Sequence, residues 1–186
     1  LVTYQFRYHP HIKLIKKLLR ATDRYGDAIY ASAEWSEYLP DWHPWEDYRK
    51  SYAANVDLGG GVFLTQIHPL NYLNFLFGDI NKTLVQKHAS KSLNIDVDDT
   101  ADILIEFESG VSGHVHVDFI QKPRVHKLKI VTNLGRFEWD CHQNKLIFLA
   151  LDGTNETFDN LGFERNDMFL EILSKFIEDV KSGRPS

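Results

Sequence analysis

The chain has 186 residues, of which 43% are hydrophobic and 25% charged, and its formal net charge is −5. This composition is typical of one soluble domain with a hydrophobic core. The negative charge argues against nucleic acid as a partner, because phosphate binding favours a basic surface. No apolar run reaches the roughly 20 residues of a membrane helix. Cys141 is the single cysteine, so no internal disulfide can form and a cytoplasmic location is expected.

The first part of the chain predicts two helices and one strand. An extended segment at residues 1–6 precedes an amphipathic helix at 10–20, which Pro10 can begin because proline is favoured in a first helical turn. Alternating polar and apolar residues predict a strand at 27–38. An irregular, aromatic-rich segment then leads to a strongly apolar helix within 58–78.

The second part predicts successive strands joined by turn signals such as Ser109-Gly110, and therefore a largely antiparallel meander. A final helix is expected at 165–181, with Gly183 and Pro185 beyond it. Together these elements predict an α+β fold at residues 1–186, a single domain with a large, predominantly antiparallel sheet and helices packed on one face. The predicted strands are 83–88, 100–108, 111–119, 125–132, 136–140 and 145–151.

The apolar helix carries few polar residues, and these suggest a site. Thr65, His68 and Tyr72 lie at helical spacing on one stripe, with Asn71 one turn from His68. Pro69 lacks an N–H and predicts a kink beside the histidine. His68 is either a hydrogen-bonded core histidine or a site histidine that exchanges protons near neutral pH, and the kink favours the second interpretation.

Three glycines precede this helix, and they allow two interpretations. A phosphate can bind to the backbone N–H groups at a helix start, but the sequence contains neither a G-x-G-x-x-G fingerprint nor a Walker loop. Gly60 and Gly61 more simply allow the backbone to pass close to a cofactor or to a neighbouring strand. The chain alone is therefore not expected to hold a dinucleotide.

Two further groups of residues are candidates for binding. Trp42, Tyr48 and Arg49 lie in the irregular segment and either contact a sugar by stacking and hydrogen bonding or simply fasten the loop to the domain. Arg7 and His9, just after the opening extended segment, are expected to join them. His-x-His at residues 114–116 suggests a metal site, but no third ligand is fixed by local spacing, so no metal is predicted.

Read as G-G-G-x-x-x-(D)-x-x-H-x-x-(D)-x-x-x-x-L-x-G, the stretch from Gly59 to Gly78 resembles the signature of the C-terminal domain of the Gfo/Idh/MocA oxidoreductases. The segments Tyr4-Gln5-Phe6-Arg7-Tyr8-His9-Pro10 and Phe163-Glu164-Arg165-Asn166-Asp167-Met168-Phe169 are also similar to the family. Thr65 and Asn71 stand where many members carry aspartate, so this chain departs from the pattern there.

The resemblance implies an NAD(P)-dependent oxidoreductase acting on a CH–OH group of a sugar, cyclitol or related polyol. NAD or NADP would bind mainly to an N-terminal Rossmann domain that is missing from this chain, so the fragment alone would be inactive. His68 would be catalytic, and a lysine of the missing domain would assist it. The residues binding the substrate would be Thr65, Asn71, Tyr48, Arg49, Trp42, Arg7 and His9.

The resemblance also implies a homo-oligomer that pairs through the open face of the sheet. An alternative function is a non-catalytic nucleotide or sugar sensor on the same fold, in which chemistry was lost when acids became Thr65 and Asn71. Neither nucleic acid nor a membrane is an expected partner.

Overall fold

The computed structural model describes residues 3–159 and 162–183, which contain eight strands in one sheet. The strands are β1 Ala28–Ser36, β2 Ile80–His88, β3 Thr100–Phe107, β4 Ser112–Asp118, β5 Val125–Thr132, β6 Gly135–Asp140, β7 Lys145–Ala150 and β8 Asn155–Phe158. Their order across the sheet is β2-β3-β4-β1-β5-β6-β7-β8.

Five α-helices accompany the sheet in the described ranges: α1 Pro10–Leu18, α2 Thr22–Tyr25, α3 Val62–Thr65, α4 His68–Phe77 and α5 Arg165–Ser182. Short 3₁₀ turns form at Gln5–Tyr8 and, in the irregular segment, at Leu39–Asp41, Tyr48–Lys50, Tyr52–Ala54 and Val56–Leu58. Among the described helices, none combines the length and the apolar composition needed to cross a bilayer.

The connectivity departs from a simple meander at one place. β1 lies between β4 and β5, parallel to the first and antiparallel to the second. Every other neighbouring pair of strands is antiparallel. The predicted α+β class and the predominantly antiparallel sheet are therefore confirmed, whereas the expected meander through the later strands is wrong at the insertion of β1.

One face of the sheet is buried beneath the helices. In β5, Leu128 and Ile130 are buried whereas Lys127 and Lys129 are exposed, because successive side chains of a strand point to opposite faces. Contacts join α3 to β3 and β4, and α4 to β1. The buried face also includes Ile103, Ile105, Phe107, Val115, Val117 and Phe119.

The opposite face is open and carries a row of alternating charges. Strand register places one residue from each of six neighbouring strands side by side, and acids alternate with bases across the row. In sheet order the row is Asp102, His116, Glu34, Lys127, Asp140 and Lys145. A shallow groove of about 460 Å³ lies along this face.

Four local predictions differ from the structure. Gln5–Tyr8 form a 3₁₀ turn where an extended segment was expected, while residues 1, 2 and 185 lie outside the described ranges. The apolar helix is divided into α3 and α4, so the predicted kink is a complete break. Strand β2 begins at Ile80, earlier than expected. Strand β8 was missed because it is short and mostly polar.

A candidate active-site cleft

His68 lies at the start of α4, directly after the break in the apolar helix. Gln66 leaves the helical region, with φ −101° and ψ 43°, and closes α3. Pro69 occupies the first turn of α4, where its missing N–H costs no helical hydrogen bond. The break turns Thr65 and His68 toward a cleft, whereas Tyr72 of the same predicted stripe is fully buried in the core.

The imidazole of His68 is held by a polar and an aromatic neighbour. The side-chain nitrogen of Gln5 lies 3.2 Å from His68 Nε2. The indole of Trp35 stacks on the imidazole, with ring centroids 5.4 Å apart and planes 27° apart. Burial, aided by the positive charge of Arg165, lowers the pKa of His68 to about 4. His68 is therefore neutral at physiological pH, and its Nδ1 has no partner in the described structure.

A second histidine also stacks on the Trp35 indole. His126 of β5 stacks on this ring at 4.5 Å with an interplanar angle of 4°. Its side chain is buried, and burial lowers its pKa well below the ordinary value. His126 Nε2 is also without a hydrogen-bond partner among the described residues.

These side chains line a cleft of about 910 Å³. This volume is within the range of small-molecule sites, which are concave and combine apolar walls with a few polar groups. Residues from both ends of the chain meet here, because the Gln5–Tyr8 turn contacts α1, α4 and α5. The lining includes Gln5, His9, Trp35, Trp42, Thr65, His68, His126 and Arg165.

Four of the residues predicted from the sequence meet in this cleft, and four lie outside its lining. Thr65, His68, Trp42 and His9 line it. The pKa of His9 is lowered to about 3 by its burial, with a smaller effect from His11.

The other four are engaged elsewhere. Arg7 Nε donates to Asn71 Oδ1 at 2.7 Å. Tyr48 donates its hydroxyl to the Leu93 carbonyl at 2.8 Å, and the exposed Arg49 folds back on Asp47 at 2.8 Å.

Gln5, Arg165 and His126 are among the cleft residues that sequence reasoning missed. Gln5 was hidden in a segment that was expected to be extended. Arg165 was identified only as part of a helix start. His126 could have been found from the sequence. Alternate residues of a strand face the same side, so His126 lies on the buried side of β5 with Leu128 and Ile130. A histidine in such a position needs a neighbour for its polar atoms.

The glycines before α3 are packed against the chain itself. A Cβ on Gly60 would lie 2.5 Å from the Tyr52 carbonyl oxygen and 2.7 Å from that of Ala53. Gly61 has φ +104°, and a Cβ there would lie 2.8 Å from Asp98 Oδ1. Carbonyl and carboxylate oxygens repel phosphate, so these surroundings do not form a phosphate cradle.

The two histidines at the open face share carboxylates. Both His114 Nε2 and His116 Nδ1 lie within 3.0 Å of Asp102 Oδ1, and His116 Nε2 is 3.2 Å from Asp118 Oδ2. The hydrogen bond to Asp118 is the largest cause that raises the pKa of His116 to about 9. Within residues 3–159 and 162–183, no group of three or more His, Cys, Asp or Glu side chains is arranged to hold a metal ion.

Solved structures with the same fold are dehydrogenases and oxidoreductases. Levoglucosan dehydrogenase, in complex with NADH and levoglucosan, has a TM-score of 0.82 at 14% identity, covering 97% of this chain and 56% of its own. An NAD-binding oxidoreductase from Klebsiella pneumoniae has a TM-score of 0.76 at 16% identity, covering 92% and 54%.

A third structure is an inositol dehydrogenase homologue from Azotobacter vinelandii in complex with NAD+. It has a TM-score of 0.73 at 17% identity and covers 87% of this chain and 44% of its own. The chain thus spans about half the length of each of these three structures. At such identities the likeness establishes the fold.

No curated protein sequence matches the chain significantly. The sequence itself matches the family described as "GFO/IDH/MocA C-terminal domain" over residues 12–138, which is more than half of the chain. This match covers the helix break with His68 and the strand that carries His126. The chain therefore belongs to the Gfo/Idh/MocA family of oxidoreductases and represents its C-terminal domain.

Proposed function

We propose that this chain is the substrate domain of an NAD(P)-dependent oxidoreductase that acts on a CH–OH group of a sugar, cyclitol or related polyol. The supporting observation is a set of buried polar atoms around the cleft that have no partner in the described residues. They are Trp35 Nε1, Trp42 Nε1, Thr65 Oγ1, the Gln66 amide, His68 Nδ1 and His126 Nε2. A buried polar atom without a partner costs about 1–3 kcal/mol, and a polyhydroxylated molecule supplies donors and acceptors for such atoms.

His68 is the proposed proton acceptor. An amide side chain presents either its oxygen or its nitrogen, and the assignment of the two follows the hydrogen-bond network. With the Gln5 oxygen turned toward Nε2–H, the lone pair of His68 lies on Nδ1. Because the pKa of about 4 keeps the ring neutral, Nδ1, which is buried in this structure, can accept the hydroxyl proton once the arrangement with both domains exposes it to the substrate, while Gln5 fixes the ring. Thr65 and Trp42 would bind neighbouring hydroxyls.

The nucleotide is proposed to bind mainly to an N-terminal domain absent from this chain, since Gly60 and Gly61 are crowded by oxygens. When bound, NAD or NADP would supply the hydride acceptor or donor for the carbinol carbon. The four predicted residues that lie outside the cleft, Arg7, Asn71, Tyr48 and Arg49, stay proposed as substrate ligands only for the arrangement with both domains present.

The test uses the intact protein with its nucleotide-binding domain. NADH and NADPH are titrated while tryptophan fluorescence is followed, and a panel of sugars and cyclitols is then screened by nicotinamide absorbance. His68→Ala should lower kcat by at least about 100-fold, the usual size of a general-base contribution, and should leave nucleotide binding unchanged. His88→Ala, which removes an exposed histidine on β2, is the matched control. Undiminished turnover by His68→Ala would refute the proposed role.

The alternative is a non-catalytic sensor on the same fold. The hydrogen bond between Arg7 and Asn71 favours this alternative, because it already occupies the Asn71 amide. Helix α4 has no carboxylate that could take the place of this amide in catalysis. The same experiment separates the two functions. Tight nucleotide binding without turnover across the whole panel is the outcome that a sensor predicts.

We also propose a cytoplasmic location and a homo-oligomer formed through the open sheet face. The location is supported by the free thiol of Cys141, which fits a reducing compartment. The oligomer is supported by Leu84 and Leu104, which are paired across β2 and β3 and are 67% and 53% exposed. Exposed apolar side chains beside a mixed-charge face are typical of an interface.

A further inference from the structure

Two arginines at the cleft have no counter-ion among the residues that the structure describes. Arg124 and Arg165 both line it and both are exposed. Neither guanidinium makes an ion pair or a hydrogen bond with residues in the described ranges, whereas Lys122 beside them is paired with Asp41 at 2.6 Å. Unpaired guanidinium groups in a concave site are the usual means of binding carboxylate and phosphate groups.

The electrostatic effects of the two arginines converge on the same wall of the cleft. Arg165 lowers the pKa of His68 in addition to the effect of burial. Arg124 likewise lowers the pKa of His142, for which burial is again the larger cause. Both arginines partly offset the increase in the pKa of Cys141. One small molecule can therefore lie close to both guanidinium groups and to His68.

The position of Arg165 is unfavourable for helix stability. It is the first residue of α5, at the positive end of the helix dipole, where a cation is disfavoured. The helix start is already satisfied by a capping box of Glu164 and Asp167. Arg165 therefore contributes nothing to the cap, which points to a role on the cleft side.

The negative groups of the cleft are few. Glu37 is a lining carboxylate without an ion pair among the described residues, and it lies near His142 and Cys141, whose pKa values it raises. Asp41 is neutralised by Lys122. Glu164 and Asp167 are occupied by backbone groups of α5. Two arginines against one free carboxylate leave an excess positive charge at the cleft.

We propose that the substrate carries an anionic oxygen group, a carboxylate or a phosphate, which Arg124 and Arg165 bind while its alcohol faces His68. The inference rests on the proposed function and narrows its substrate class to sugar acids or sugar phosphates. Glu37 then accepts a hydrogen bond from a hydroxyl at the far side of the anionic group.

The experiment measures dissociation constants on the intact protein. Trp35 and Trp42 line the cleft, so intrinsic fluorescence reports binding in the presence of saturating NADH. The ligands are glucose, glucuronate and glucose 6-phosphate. They are tested on the wild type, on Arg124→Gln, on Arg165→Gln and on the double variant. Arg20→Gln is the control, because Arg20 is an exposed arginine outside the cleft. The Kd of NADH is measured for each protein.

For the wild type, the Kd of at least one of the two anionic ligands should be at least about tenfold lower than the Kd of glucose. This is the difference expected for charge-assisted hydrogen bonds. This preference should vanish in the double variant and persist in Arg20→Gln, with the Kd of NADH unchanged. Which anion is preferred distinguishes a carboxylate from a phosphate substrate.

Equal binding of glucose and both anions would overturn the inference while leaving the proposed function intact. A loss of NADH affinity in the arginine variants, without a change for the sugars, would instead assign the arginines to the nucleotide and also overturn it. The absence of binding by all three sugars would overturn the inference, whereas the proposed function would still stand if the absorbance screen showed turnover of another sugar or of a cyclitol.

Discussion

Three buried histidines around the cleft resist protonation. The pKa is lowered to about 3 for His9 and to about 4 for His68, and that of His126 is lowered well below its ordinary value, in each case mainly by burial. Each ring also stacks on a tryptophan or meets its edge: His68 and His126 on Trp35, His9 on Trp139. A proton on any of them would need a counter-charge that the aromatic walls do not offer.

Acid should therefore unfold the protein. In the unfolded chain these histidines take up protons below pH 6.5, whereas in the folded chain His68 does so only near pH 4, His9 near pH 3 and His126 well below pH 6.5. The unfolded state thus binds more protons between these values, and the stabilisation present above pH 6.5 is lost as the pH falls. Each histidine should contribute up to about 1.4 kcal/mol per pH unit in this window.

Urea unfolding at pH 7, 6, 5 and 4.5 checks this dependence. His126→Phe keeps an aromatic ring beside Trp35 and removes one titrating group, so its unfolding free energy should fall less steeply with acid than that of the wild type. His88→Asn, which changes an exposed histidine, should follow the wild type. An equal slope for His126→Phe would show that the folded protein protonates His126 freely.

The segment from Gly59 to α3 shows how an element boundary is set by close packing. Gly59 and Gly61 both have positive φ, +77° and +104°, but their surroundings differ. A Cβ on Gly59 would meet open space, and one on Gly61 would meet the Asp98 carboxylate. That carboxylate also accepts the backbone N–H of Phe63 at 3.0 Å and thereby anchors the start of α3.

Gly61→Ala should destabilise the protein more than Gly59→Ala does. Both substitutions incur the strain of a left-handed backbone, about 1–2 kcal/mol, but only Gly61→Ala also displaces Asp98. Thermal unfolding should therefore show a larger fall in Tm for Gly61→Ala, and loss of activity should accompany it because α3 carries Thr65 toward the cleft. Equal Tm values would mean that Asp98 moves without cost.

The sequence predicted the individual helices and strands better than it predicted which strands pair with each other. The periodicity and the turn residues predicted β5 with its observed bounds, because alternation records which side chains are buried. The insertion of β1 beside β4 was not predictable in this way, since strand pairing depends on distant segments. The same limit applied to the site. Thr65 and His68 were found together on one helix, whereas Gln5 and His126 reach it only through the tertiary fold.

For the whole molecule, the open face of the sheet is the surface through which we propose that copies associate. The row of alternating charges is internally paired, with His116 near Asp102 at 2.9 Å and Lys127 near Asp140 at 3.6 Å. His116 is cationic near neutral pH, because its hydrogen bond to Asp118 and its neighbour Asp102 raise its pKa to about 9. The row therefore carries balanced charge under ordinary conditions.

Lys127→Glu should disrupt the proposed oligomer. The substitution places three adjacent acids in the row, Glu34, residue 127 and Asp140, which destabilises a second row packed against it. Sedimentation velocity should show the wild type as an oligomer and Lys127→Glu shifted toward the monomer. Lys13→Glu, on α1 away from this face, is the control. A wild-type monomer at all concentrations would refute the oligomer.

The alternation of the row has a geometric consequence. Read from its opposite end, the row runs base, acid, base, acid, base, acid. If two copies pack their open faces together about a two-fold axis parallel to the strands, every acid therefore lies over a base. A slip by one strand, about 4.8 Å, sets like charges over each other, and a slip by two strands restores the match. In the proposed oligomer, the charge pattern would therefore favour alignments spaced by about 9.6 Å and disfavour the alignments between them.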